Sequence, residues 1–149
     1  MAHARTTLLT ALVAAIAAAG TDAGARVFNE RAQAIAADEY PFIIAKFSDE
    51  SQSRTAQGNG RYGSFITRTA TLVVYHTQKQ AAGYIAAGDT AIGLVETALA
   101  YAAIAGLHDI VPIKTLFDEE QEGELPLYTV TQEFAVTYNT TQGNPVDPR

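Results

Sequence analysis

The 149 residues make one ordinary domain, long enough to bury about 70% of its unfolded surface in one core. Apolar residues are 48% and charged residues 17%, which excludes disorder, and the absence of cysteine excludes disulfide scaffolds, zinc ribbons and thiol nucleophiles. A net charge of −6, with ten Lys and Arg and no basic run, argues against a module that grips nucleic-acid phosphates; an acidic surface repels DNA, which suits a passage that DNA slides through.

Leu8 to Ala19 reads LLTALVAAIAAA behind His3 and Arg5. It has the layout of a secretory signal, and it falls short of the roughly 20 apolar residues that span a membrane. The alternative is an N-terminal helix over residues 1–20. Leu8 or Leu9, Leu12, Ile16 and Ala19 would form its stripe, Thr6 or Thr7 its cap and Gly20 its end. We expect the folded helix.

A short strand is predicted at Ala25–Asn29, then an irregular, alanine-rich stretch from Glu30 to Glu39. Behind Tyr40-Pro41, Phe42 to Phe47 is apolar at successive positions, as in a central strand covered on both faces. Residues 48–63, Ser48 to Gly63, read as a flexible loop or the tip of a long hairpin. From Ser64 to Thr77 the chain alternates. Ile66, Ala70, Leu72 and Val74 share one face with Arg68, and threonines dominate the other.

A second helix is expected from Asp89 as N-cap, with Ile92, Val95, Leu99 and Ala102 buried and Gly106 as its stop. Gly83, Gly88 and Gly93 blur its start. Ile110 to Phe117 reads as a strand, which Pro112 assigns to a sheet edge. The acidic Asp118 to Glu124 reads as a solvated turn. Leu127 to Tyr138 alternates again, with Tyr128, Val130, Phe134 and Val136 on one side. Residues 139–149 form a polar tail. The order α-β-β-β-α-β-β predicts a single α+β domain over 1–149. Two main helices would pack on a mostly antiparallel or mixed sheet.

No catalytic, cofactor or metal site is legible. His3, His76 and His108 stand alone and read as surface or partly buried histidines. Gly58 to Gly63 lacks the Lys-Ser/Thr of a phosphate loop, and a strand follows it where a helix is needed. The spacing of Asp118, Glu119, Glu120, Glu122 and Glu124 is not that of an EF-hand. Neither Ser48 nor Ser64 sits in Gly-x-Ser-x-Gly. Function is therefore expected at surfaces, and no enzyme activity is expected.

A helix ending in a Gly-rich turn is followed by Arg26-Val27-Phe28-Asn29-Glu30-Arg31 and by Asp38-Glu39-Tyr40-Pro41-Phe42-Ile43-Ile44. With the threonine-rich strand Ile66–Tyr75, the helix Asp89–Leu99 and the closing Phe134–Tyr138, this resembles the tail terminator and neck proteins of long-tailed bacteriophages, the minor tail protein U kind. The likeness covers about residues 5–138. The long Ser48–Gly63 loop and the acidic stretch depart from it.

The resemblance implies a structural virion protein, assembled in the host cytoplasm, that forms a closed homohexameric ring on the tail tube. Such a ring stops tube growth and joins the tail to the head connector, and DNA passes through its lumen. Its partners would be further copies of itself, the tail tube protein and the connector or neck protein, with no membrane. Arg54, Arg61 and Tyr62 are of the residue types that anchor interfaces and are expected to reach a neighbour. Asp118, Glu119, Glu120, Glu122 and Glu124 are expected on the lumen or rim. The alternatives are another neck or head-completion protein, a tube subunit, or a secreted binding domain.

Overall fold

A computed structural model describes residues 2–29, 38–55, 65–120, 126–141 and 144–148. Helix α1 (Ala4–Ala17) leads into the two-residue strand β1 (Val27–Phe28), and two long strands follow, β2 (Phe42–Thr55) and β3 (Phe65–Lys79). Helix α2 (Tyr84–Ala100) precedes β4 (Leu107–Glu120), β5 (Leu127–Thr141) and β6 (Asn144–Pro148). The strands form one mixed sheet in the order β1-β2-β3-β5-β4, with β6 paired to the end of β5. Among the described residues only the β1–β2 pair is parallel. The fold is the expected α+β one, with two helices packed on a mostly antiparallel sheet.

The helices lie on the same side of the sheet. The stripe Ala4, Leu8, Leu12 and Ile16 recurs every four residues and is buried along α1. The N-terminal apolar run therefore packs into the core. On α2 the buried positions are Gly88, Ala91, Ile92, Val95 and Leu99. Both stripes meet Ile43 and Ala45 of β2, Leu72 and Val74 of β3, and Phe134 and Val136 of β5. Strand β5 alternates without a break, burying Tyr128, Val130, Gln132, Phe134, Val136, Tyr138 and Thr140. It is paired on both sides, so its odd positions alone see the other face. There Thr77 and Thr129 exchange a hydroxyl hydrogen bond of 3.1 Å.

Several boundaries differ from the sequence expectation. Ser48–Thr55 is not loop: it continues β2 and pairs with β3 as far as Thr55 opposite Phe65. Backbone pairing does not require apolar side chains, so a polar hairpin arm looks like a loop in composition. The rest of the expected loop, 56–64, lies outside the described residues, as does 30–37.

Helix α2 begins at Tyr84, one and a half turns before Asp89, behind Gly83 with φ +80. It ends at Ala100, so Ala102 falls beyond it, and Gly106 with φ +81 serves the turn into β4 instead. The cap of α1 is His3 rather than Thr6 or Thr7. Its Nδ1 accepts the Arg5 N–H at 3.1 Å. The polar tail is also structured in part, because β5 runs to Thr141 and β6 turns back against it.

Gly88 explains the glycine that obscured the start of α2. A Cβ there would lie 2.9 Å from Tyr128 Cε1 and 3.1 Å from Val130 Cγ2, so the helix can approach β5 this closely only at glycine. Nothing lies within 4 Å of a Cβ at Gly93 on the same helix. Gly88→Val is expected to destabilise by about 1–3 kcal/mol through overpacking. Gly93→Ala is expected to stabilise by about 0.5–1 kcal/mol through helix propensity. Thermal melts of the two variants read opposite signs.

Candidate interaction surfaces

Strand β4 closes the sheet as an edge, as Pro112 predicts. Its register with β5 breaks between Leu107 and Asp109 and again between Pro112 and Lys114. Bulges, a proline and charges are usual defences of an edge strand. From Lys114 to Glu120, however, the strand is regular and exposed at every position. Phe117 stands opposite Val130 on the helix side, and Leu116 stands opposite Thr131 on the other. Both are at least half exposed, Phe117 at 63% and Leu116 at 50%, so β4 shows large apolar side chains on two faces. Val111 and Ile113 extend the exposed apolar run.

Between α2 and β4 runs a groove of about 580 Å³ lined by Ile85, Asp89, Phe117, Glu119 and Tyr128. Its walls are apolar and its charges are acidic. Tyr84 donates its hydroxyl to Glu119 Oε1 at 2.8 Å and packs edge-on against Tyr128, with ring centroids 5.0 Å apart. The bond to Glu119 is the main reason the Tyr84 hydroxyl is pushed above its usual 10.0. Tyr128 is pushed up as well, first by burial and then by the charges of Asp89 and Glu119.

A different cluster lies on the helix side at the far end of the sheet. Glu50 of β2 accepts hydrogen bonds from Arg68 Nη1 at 2.9 Å, from Gln52 Nε2 at 3.0 Å and from the Tyr138 hydroxyl. Arg5 of α1 adds an ion-pair contact at 3.6 Å, and Arg68 Nε also donates to Thr140 Oγ1 at 2.9 Å. The Glu50 side chain is only 5% exposed. Burial alone would raise its pKa, but the bonds from Tyr138, Gln52 and Arg68 and the Arg5 charge outweigh that and hold it below 4.5. Burial, with the Glu50 bond second, pushes Tyr138 well above its usual range. His3, at the start of α1, is pushed down by burial and then by Arg5 and Arg68, which keeps Nδ1 free to accept its capping bond. This cluster ties α1, β2, β3 and β5 together and is structural.

His76 corrects the reading of the isolated histidines. It is fully buried, and its Nε2 lies 2.8 Å from Asp22 Oδ1 in the turn after α1. Its partner is 54 residues away, a distance no local pattern reveals. Among the described residues no group of three His, Asp or Glu side chains converges as a metal site would require, and no helix is long and apolar enough to cross a membrane.

The sequence-predicted interface residues do not form one patch. Asp118, Glu119 and Glu120 belong to β4, not to a turn, and pair with Thr129, Tyr128 and Leu127. Glu119 alone of them lines the groove. Arg54 is exposed near the end of the β2–β3 hairpin, opposite Ile66. Asp118 is aligned through Thr129 with Thr77, so Arg54 and Asp118 are eleven strand positions apart, about 36 Å, at opposite ends of the sheet. Arg61, Tyr62, Glu122 and Glu124 lie outside the described residues. What the sequence reading missed is the apolar part of the surface: Ile85 of α2 with Leu116 and Phe117 of β4. Its only sequence signal is an apolar pair continuing past Pro112 on an edge strand.

No family model matches the chain, and no curated protein matches it. The fold has a solved counterpart. It is similar to that of one chain in the virion of a native gene transfer agent (GTA) particle. That chain shares 16% sequence identity with this one, at a TM-score of 0.57. The likeness covers 91% of this chain and 99% of that one, so it extends over the whole arrangement of helices and sheet.

Proposed function

We propose that this chain is a structural virion protein of the tail-terminator kind. It would form a closed ring at the end of a tail tube, stop tube growth and join the tail to the head connector. The observation that carries this reading is the likeness of fold to a virion chain over nearly the full length of both. The resemblance of residues 5–138 to terminator and neck proteins supplies the finer role. The exposed apolar strand β4 supports it, because a long edge strand with Leu116 and Phe117 outward calls for a covering partner. The net charge of −6 suits a lumen through which DNA slides without sticking. In this reading the work is assembly, and the partners are further copies, the tube protein and the connector.

Electron microscopy and light scattering of the purified protein test the role. The expected result is single closed rings of six times the 15.8 kDa chain mass. Long self-assembled tubes would instead identify a tube subunit and overturn the terminator reading.

A further inference from the structure

We propose that free copies of this chain pair through β4, antiparallel about a two-fold axis at Leu116, so that one sheet runs through both copies. The contact lies outside the ring reading, because a closed ring of like-oriented copies joins unlike surfaces and this pairing joins a surface to itself. It follows from the order of residues along Lys114–Asp118, a regular and exposed length of the edge strand. The basic residue stands at one end, the acidic residue at the other, and Leu116 between them.

Two such strands fit each other in one direction. A two-fold axis normal to the sheet keeps the helices of both copies on one side, so each residue meets one of its own face. Lys114, Leu116 and Asp118 share the face away from the helices, opposite Glu133, Thr131 and Thr129 of β5. With Leu116 on the axis, the two Leu116 side chains meet, and on either side of them Lys114 of one copy meets Asp118 of the other. On the helix side Phe117 meets Thr115, and the two Phe117 rings lie diagonal to each other, within reach of aromatic side chains. No carboxylate along this ladder faces a carboxylate. Parallel pairing in register would instead set Asp118, Glu119 and Glu120 each against its own counterpart, which is destabilising. Lys114 lies 3.1 Å from Glu133, but its side chain is half exposed, and an ammonium with three donors serves a carboxylate on either side. The pairing covers Leu116 and Phe117 and satisfies the outward backbone groups of the edge. Mass action favours the smaller assembly on dilution, so dimers belong at low concentration and rings at high.

The chain has no cysteine, so a single introduced one reports the register. Opposite Cα atoms in an antiparallel pair are about 4.5–5.5 Å apart, inside the range of a disulfide. Leu116→Cys is expected to cross-link into a dimer under oxidised glutathione, and Val111→Cys, exposed on the same strand but away from the axis, to stay single. Sedimentation over a dilution series reads the dimer without a cross-link. Lys114→Glu and Asp118→Lys each set like charges opposite one another and are expected to weaken it about tenfold while melting cooperatively. Mixed in equal amounts, the two variants are expected to recover the dimer, because each offers the charge the other lacks. Single variants that dimerise like wild type, a mixture that stays monomeric, a Leu116→Cys chain that does not cross-link, or a wild type that passes from monomers to rings without dimers overturns the pairing and leaves the ring reading standing. Dimers that never give way to rings keep the pairing and overturn the ring.

Discussion

Phe134→Ala is expected to lower stability by about 3–5 kcal/mol. Phe134 is 1% exposed on β5, the strand paired on both sides, and it packs with Val95 and Leu99 of α2 and Leu72 of β3. Truncation removes the transfer energy of the ring and leaves a cavity. The pairing of β5 to β3 and β4 keeps that cavity from collapsing. A chain of this size has about 5–15 kcal/mol in total, so the variant sits near the unfolding threshold. Chemical denaturation should show a lower midpoint with an unchanged slope. A loss under about 1 kcal/mol would mean that α2 does not pack on β5 as described.

Glu50→Leu is expected to have an effect of similar size, about 3–5 kcal/mol. It leaves the Arg68 guanidinium, 11% exposed, without its carboxylate, and it strands the buried Tyr138 hydroxyl. Removing both charges is less damaging than removing one, because no buried charge is then left uncompensated. Glu50→Leu combined with Arg68→Met should therefore be more stable than Glu50→Leu alone. A double variant with the full sum of the two losses would show that the pair is not coupled.

The same cluster sets a pH dependence at both ends of the scale. Glu50 has a folded pKa below its ordinary 4.5, so its contribution is present above that pH and is lost as pH falls further. Tyr138 has a folded pKa above its ordinary 10.0, so its contribution is present below that pH and is lost as pH rises beyond it. Tyr138→Phe should flatten the alkaline arm of a melting-temperature profile and leave an acid arm in place. An unchanged alkaline arm would remove Tyr138 from the account.

Where side-chain periodicity reports burial, the sequence reading and the structure agree. Leu8, Leu12 and Ile16 predict α1, and the alternation from Tyr128 to Tyr138 predicts β5 with the correct face inward. Pro112 assigns β4 to an edge because it cannot donate to a second neighbour. The polar arm Ser48–Thr55, the acidic end of β4 and strand β6 escape that logic. They are strands because their backbones pair, and backbone pairing leaves no mark on composition. Gly88 misleads for the opposite reason: a residue that weakens an isolated helix is required where that helix meets Tyr128.

An α+β chain with an apolar core, no cysteine chemistry, an acidic balance and an edge strand at Pro112 can be read directly from the residues in order. Those properties follow from local residue type and period. Folding brings the distant groups together: His76 with Asp22, Glu50 with Arg68 and Tyr138, and Tyr84 with Glu119. It also decided which groups stay apart, with Arg54 and the acidic end of β4 at opposite ends of the sheet. Charge and hydrogen bonding act through space, and the order of residues along the chain does not encode those distances until strand register sets them.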